Sequence, residues 1–391
     1  QMLKRISFKA VSGLIAIGVI SFLCLINEGI ASENIECGAG NVSKIKYADP
    51  VEDIDLHQNA FPIAKIPEEL LQVHFIDVGT GDSIWIHTGD DGIDGNGRME
   101  GYNIIIDGGS WGLFGRANGY DAASEYLGKS DRMPIGSTID WMILSHPHSD
   151  HAGGLYGFIQ DYDVRNILDP GHDKTNDEEE SDRLRTWSAY GRFFQAASAE
   201  VFGEGQMANF VWGIPDNFML DWGAELDVDI LWSSREIVDN GLNNVSIVLR
   251  LSFTDAGNDI SFLFPGDAER HVEDILIKEL GSGLRTTVLK AGNHGSNSST
   301  TEAFLQQVRP QHIVITAGNQ NFSGTMRPSP EVFTRIQNVS NQLNLNTQVW
   351  RTDLGDKTPT LVPVGSESGD DTILATTDGK TLSINYVVNG R

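Results

Sequence analysis

From residue 71 onward the chain alternates short apolar runs with turns rich in glycine and aspartate, a pattern of many strands and few long helices. Residues 73–76 and 83–87 flank Asp77-Val-Gly-Thr-Gly-Asp82-Ser83 and read as a hairpin whose glycines permit positive φ at a sharp turn. The aspartates of such a turn are expected to bond nearby backbone amides. Further strands are expected over 103–106, 139–144, 164–168, 245–253, 260–264, 286–290, 313–316 and 348–352. Helical patterns mark 184–197, the stretch from 269 to about 280, and 330–343.

Ahead of that pattern the chain has a different character. Lys4, Arg5 and Lys9 precede an apolar run over 11–26, and Gly29 and Ala31 are small residues suited to a cut after Ala31. Sixteen apolar residues fall short of the ~20 that span a bilayer, so residues 1–31 read as a cleaved signal peptide, not a retained anchor. Bulky Leu23 before Cys24 argues against lipidation, and Cys37 is then the one cysteine of the mature chain, which excludes an internal disulfide. Residues 32–68 show no periodic element and read as an extended lead-in to a domain over 69–391. No stable membrane anchor is expected after cleavage, and the expected location is secreted or periplasmic.

Charge narrows the partners. The formal charge is −26; the first 31 residues hold three basic residues and Glu28, a sum of +2, so their removal leaves −28. Such acidity disfavours nucleic acid unless a local basic groove offsets it, and the sequence displays none. Two acidic loops invite a calcium reading or a place at the mouth of a site. In the loop 89–97, Gly92 stands where a calcium loop needs a carboxylate or amide, and no Glu follows at the twelfth position. A solvated hairpin tip is favoured there, and a solvated loop for 173–182.

The densest chemistry is Leu144-Ser-His-Pro-His-Ser-Asp-His-Ala-Gly-Gly154. His146, His148, Asp150 and His151 are four metal-ligating side chains within six residues, directly after an apolar run. One histidine would be read as a satisfied core or surface residue; this spacing favours metal. Alternation at a strand end is expected to aim His146 and His148 the same way, leaving Asp150 and His151 for a second ion.

The run resembles the motif of the metallo-β-lactamase superfamily, and the neighbouring motifs are similar to those of the ComEC-type hydrolase domain. The Asp77–Ser83 turn resembles that domain's opening Asp-Val-Gly-Gln-Gly-Asp-Ser. The resemblance covers about 71–388 and implies an α/β fold, the four-layer αββα sandwich, with its site at the shared strand ends. It implies Asp107 as a carboxylate orienting a ligand histidine and Asp267, in Pro265-Gly-Asp267, as the metal-bridging carboxylate. His294, in Ala291-Gly-Asn-His-Gly-Ser296, is the implied last ligand; Asn293 stands where the family has a further histidine. The usual third histidine of the first metal is absent. Asn243-Asn244 lies near that place, with Asn244 the outer residue, and His172 and His271 are less favoured substitutes. Arg327 precedes Pro328 where relatives commonly carry histidine, and its cationic fork suits a phosphate or carboxylate; a surface salt bridge is the competing role.

The implied metal set is therefore His146, His148, Asp150, His151, Asp267 and His294, with Asp150 and Asp267 catalytic and Arg327, Ser296 and Asn319 facing substrate. Imidazoles and carboxylates suit one or two Zn²⁺, or Mn²⁺, which acidify bound water. The leading expectation is a metal-dependent hydrolase of phosphodiesters, of nuclease or phosphodiesterase type. Hydrolysis of a lactam or carboxylic ester is the second reading, and a non-catalytic metal-binding module the third.

Overall fold

The computed structural model describes residues 69–387 apart from 91, 94–99, 113–117, 130–131, 173–182, 184, 204, 240, 255–256, 258–259, 319, 323–324 and 354–370, with backbone alone at 320–322 and 325. The expected signal peptide and lead-in, most of the 89–97 loop, the acidic run 173–182 and Asn319 thus lie outside the described residues.

In chain order the elements of the first half are β1 (Leu71–Phe75), β2 (Ile84–His87), β3 (Asn103–Ile106), α1 (Gly119–Leu127), β4 (Thr138–Ile143), α2 (Ser149–Ala152), α3 (Leu155–Asp161), β5 (Asp163–Asp169), α4 (Ala189–Ala199), β6 (Val201–Phe202), β7 (Gln206–Met207) and β8 (Asn209–Trp212). The second half holds β9 (Leu226–Trp232), β10 (Val248–Phe253), β11 (Ser261–Phe264), α5 (Arg270–Leu280), β12 (Val288–Lys290), α6 (Glu302–Val308), β13 (His312–Ile315), β14 (Gln320–Phe322), β15 (Thr325–Arg327), α7 (Pro330–Leu343) and β16 (Gln348–Arg351). Strands β17 (Thr372–Thr377) and β18 (Leu382–Val387) return to the first half.

Two large sheets result, β18-β17-β1-β2-β3-β4-β5-β8 and β16-β13-β12-β11-β10-β9. In the first, β3, β4, β5 and β8 are parallel, so each step between them needs a crossover, and α1, α2 with α3, and α4 supply these. Three apolar cores separate four layers. Tyr126, Phe158 and Phe193 of the first helices pack on one face of the first sheet, beside Trp85, Ile105 and Met142. Val73, Phe75, Ile84 and Ile104 meet Leu249, Phe262 and Val288 between the sheets. Val272, Leu276, Phe304, Val332 and Ile336 cover the outer face of the second sheet. Strands buried on both faces read as unbroken apolar runs, which is why Ile104-Ile105-Ile106 splits its side chains between two cores. This is the αββα sandwich. Among the described residues no helix is long and apolar enough to cross a membrane.

Three boundaries depart from expectation for identifiable reasons. The helix expected from 184 begins at Ala189, because the Ser188 side chain accepts from the Gly191 amide and caps it there. The strand expected from 245 begins at Val248: Leu242–Val245 is a 3-10 turn, and the Ile247 amide is drawn to the Ser145 carbonyl, 2.9 Å away. Strand β4 ends at Ile143, so the histidine motif follows the strand and its period of two does not reach it.

Candidate metal centre

The motif instead turns. His148 is the N-cap of the short helix α2, which carries Asp150 and His151, and the His148 amide bonds the His146 carbonyl at 3.0 Å. Glycines let this turn sit against its neighbours backbone to backbone. A Cβ on Gly81, at φ +92°, would lie 1.7 Å from the Asp150 carbonyl oxygen, and one on Gly154 would lie 2.0 Å from that of Gly108. Asp267 and His294 arrive from the second half, at the turns after β11 and β12. His294 takes left-handed backbone angles, φ 55° and ψ 31°.

These elements bring two overlapping groups together, Asp82, His151, Asp267 and His294, and His146, His148 and Asp267. Asp267 belongs to both. Its Oδ2 is 3.2 Å from His294 Nε2, 3.4 Å from His151 Nε2 and 3.8 Å from His146 Nε2. The Nδ1 sides are already engaged: His151 Nδ1 donates to Asp107 Oδ2 at 2.8 Å, and His294 Nδ1 donates to the Thr316 carbonyl at 3.0 Å. In the neutral rings the Nε2 atoms are then bare lone pairs, and they face each other 3.2 Å apart. The facing Nε2 atoms of His151 and His294 repel each other unless positive charge is shared between the rings. His146 Nε2 and His148 Nδ1 stand 2.9 Å apart, a hydrogen bond in which either ring can donate. The Asp267 Oδ1 atom is buried and makes no hydrogen bond among the described residues. Lone pairs converging on a carboxylate in a dry site fit a divalent transition metal.

Electrostatics point the same way. Burial opposes charge on His294, but Asp267 and Asp82 outweigh it and raise the ring to about 9. Burial likewise opposes charge on His151, which Asp267 and Asp107 hold well above its ordinary value. Burial and the neighbouring His151 push His146 well below it, against the pull of Asp267. Burial resists ionisation of Asp267, yet His294 and His151 keep it well below the usual carboxylate range.

Asp150 lies at the edge. Its Oδ2 is 3.7 Å from His294 Nε2, and it lines a cleft with Thr80, Gly81, His294, Ala317, Gly318 and Arg327. Arg327 thus shares that cleft without belonging to either ligand group. Asp107 accepts from the Ser145 amide and hydroxyl as well as from His151, at 2.7 and 2.6 Å, which supports its own positive φ of 61°.

Several sequence-based roles need correction. The Ser296 hydroxyl is buried against that of Ser298, 3.1 Å away, and braces its loop instead of facing the cleft. Asn244 touches no site histidine: its amide bonds the Val238 carbonyl and accepts from the Glu269 amide. Its reach is limited by the 3-10 turn, so it steadies the segment after Asp267. His172 Nδ1 meets the Arg235 carbonyl at 2.6 Å, and His271 lies by Asp239; neither joins a ligand group. Asn293 donates to Glu269 and Ser298. Asp77 follows the local-turn expectation, accepting from the Gly79 amide, whereas Asp82 does not, because its carboxylate reaches across to Lys290 and Thr316 of the other half. Asp82, Lys290 and Thr316 are the site neighbours that sequence reasoning missed; a lone lysine ending an apolar strand was the available signal.

Residues 98–207 match the family model of the metallo-beta-lactamase superfamily, whose members are usually hydrolases. The chain is 29% identical over 211 residues to Recombination protein 2 of Haemophilus influenzae, 52% of this chain and 22% of that protein. It is 26% identical over 257 residues to ComE operon protein 3 of Bacillus subtilis, 64% and 29% of the two chains, and 34% identical over 105 residues to Competence protein ComA of Neisseria gonorrhoeae, 27% and 14%. The matches thus span less than a third of each of these relatives. Among solved structures, CmlA, a diiron beta-hydroxylase from Streptomyces venezuelae, aligns at 11% identity and a TM-score of 0.40 over 73% of this chain and 54% of that one. A metallo beta lactamase from Hirschia baltica aligns at 17% and 0.23 over 46% and 57%.

Proposed function

We propose that this chain, which carries a metallo-β-lactamase superfamily domain resembling the ComEC type, is a metal-dependent hydrolase of phosphodiester bonds, exported by its N-terminal leader. The observation that carries the metal-dependent part is the convergence of His151 and His294 Nε2 on Asp267, with both Nδ1 sides already bonded. His151, Asp267 and His294, with Asp150 at the cleft, would hold one ion, and His146, His148 and Asp267 a second. When bound, a divalent metal supplies acidified water and polarisation of the scissile group.

The remaining work falls to the protein. Asp150, 13% exposed where His294 is 4%, faces the cleft and can orient the attacking water and accept its proton at Oδ2. Arg327 lines the same cleft. Its guanidinium can grip two phosphate oxygens in parallel, which favours a phosphoester over a lactam. Relatives named for recombination and competence keep a nucleic-acid phosphodiester among the candidates, though the net charge of −26 disfavours it against a small diester.

Turnover of bis-p-nitrophenyl phosphate, a single-stranded DNA oligonucleotide and a cephalosporin, each with Mn²⁺ and with Zn²⁺, tests the substrate class. Phosphodiester cleavage is expected; activity confined to the cephalosporin would refute it, and no turnover would favour a binding module. His148→Ala and Asp150→Ala should each lower kcat by at least ~10³ while the fold persists. Metal analysis should find at least one transition metal retained through chelator-free purification.

A further inference from the structure

Asp82 and Asp150 compete for the same place in the ligand set. Asp82 lies within the tight group around Asp267, its ligand atoms within 4.8 Å of the others, while Asp150 stands at the cleft. Distance alone would make Asp82 the ligand. Its oxygens, however, are committed. Oδ2 is 2.5 Å from the Lys290 ammonium, and Oδ1 accepts from the Thr316 hydroxyl at 2.5 Å with His294 Nδ1 3.3 Å away.

Lys290 cannot step aside. Its side chain is 1% exposed, it ends β12 beside the core between the sheets, and Nζ also donates to the Gly266 carbonyl at 2.9 Å. Withdrawal would strand a buried ammonium without its counter-ion, and a metal taking Asp82 would do the same. The Gly266 contact ties the lysine to the turn that presents Asp267, whose Oδ1 lies 3.7 Å from Nζ.

We propose that Lys290 is a built-in cation that keeps Asp82 out of the metal's ligand set and fixes it, with Thr316, as the carboxylate that positions His294. The arrangement resembles Asp107 and Ser145 behind His151, except that the His294 Nδ1 proton goes to the Thr316 carbonyl and Asp82 Oδ1 stands 3.3 Å from that nitrogen as its charge partner. It rests on the metal-centre reading above. Asp82 belongs to the first half of the sandwich, whereas Lys290, Thr316 and His294 belong to the second. The pair therefore aligns the two half-sites across the interface where the ligands must meet.

The test uses Co²⁺, whose visible absorption reports the ligand set, with affinity measured by calorimetry. Asp82→Asn leaves Lys290 buried and unpaired, so the double variant Asp82→Asn/Lys290→Met, neutral and similar in volume, is measured beside it. Thermal unfolding in chelator shows whether each folds. Both variants should keep the wild-type ion number and absorption envelope, with Co²⁺ affinity lowered 10–100-fold, as for other groups that orient a ligand histidine. A changed envelope or a lost ion would make Asp82 a ligand and overturn the proposal. Unchanged affinity in the folded double variant would also overturn it, since the pair would then serve the fold alone. Wild-type protein that binds no Co²⁺ would instead refute the metal centre itself.

Discussion

The Nδ1 contacts of His151 and His294 decide which nitrogen each ring offers, and that choice is set by single residues behind the rings. Arg327 is the corresponding single residue on the substrate side. If it clamps a phosphate, Arg327→Ala should cost on the order of 2–3 kcal/mol in kcat/KM, and Arg327→Lys should recover only part, because an ammonium is a point charge without the planar fork. A surface ion pair would be worth under ~1 kcal/mol. Kinetics of both variants on a phosphodiester separate the roles, and an unchanged kcat/KM in Arg327→Ala would end the clamp hypothesis.

At the scale of elements, the second-half helices hold the turns that carry ligands. Glu273 of α5 is buried and accepts from the Thr300 and Thr301 amides at 2.5 and 2.9 Å, capping the loop between His294 and α6. Burial raises its carboxyl from 4.5 to about 7, against those hydrogen bonds. The folded protein therefore keeps a proton that the unfolded chain releases, so the contribution of Glu273 to stability is fully present below about pH 4.5 and is lost as pH rises to about 7. Relative to Glu273→Gln, wild-type unfolding free energy in chelator should fall by about 3 kcal/mol over that window and run parallel above it. Denaturant melts of both proteins from pH 4 to pH 8 would show it, and parallel curves throughout would refute it.

The same elements show what the sequence could carry. Helix α7 matches 330–343 because Pro330 starts it and apolar spacing runs to Leu343. In the two large sheets the strands β8, β9, β17 and β18 were not expected: β17 pairs with β1 some three hundred residues earlier, a partnership no local pattern announces. At the site, the six residues of the histidine run are close by covalent connection alone. Asp267 and His294 depended on family motifs, and the ion pair of Asp82 with Lys290 spans both halves, so only the folded chain reveals it.

Over the whole molecule the dominant fact is charge. The formal charge is −26, or −28 without the expected signal peptide, and Arg327 is a cation lining the cleft that would take a polyanion. A small diester reaches that cleft carrying one negative charge, whereas an oligonucleotide brings many phosphates against an acidic surface. Repulsion between exposed charges is screened as the Debye length shrinks from about 30 Å at 0.01 M to about 8 Å at 0.15 M salt. The ratio of kcat/KM for a single-stranded oligonucleotide to that for bis-p-nitrophenyl phosphate should therefore rise with ionic strength across that range at fixed metal concentration. Proteins that grip nucleic acid through clustered lysines and arginines behave oppositely, since salt competes with their phosphate contacts. A ratio that falls steeply with salt would show that a local basic groove overrides the global charge, and that an oligonucleotide is held well beyond Arg327.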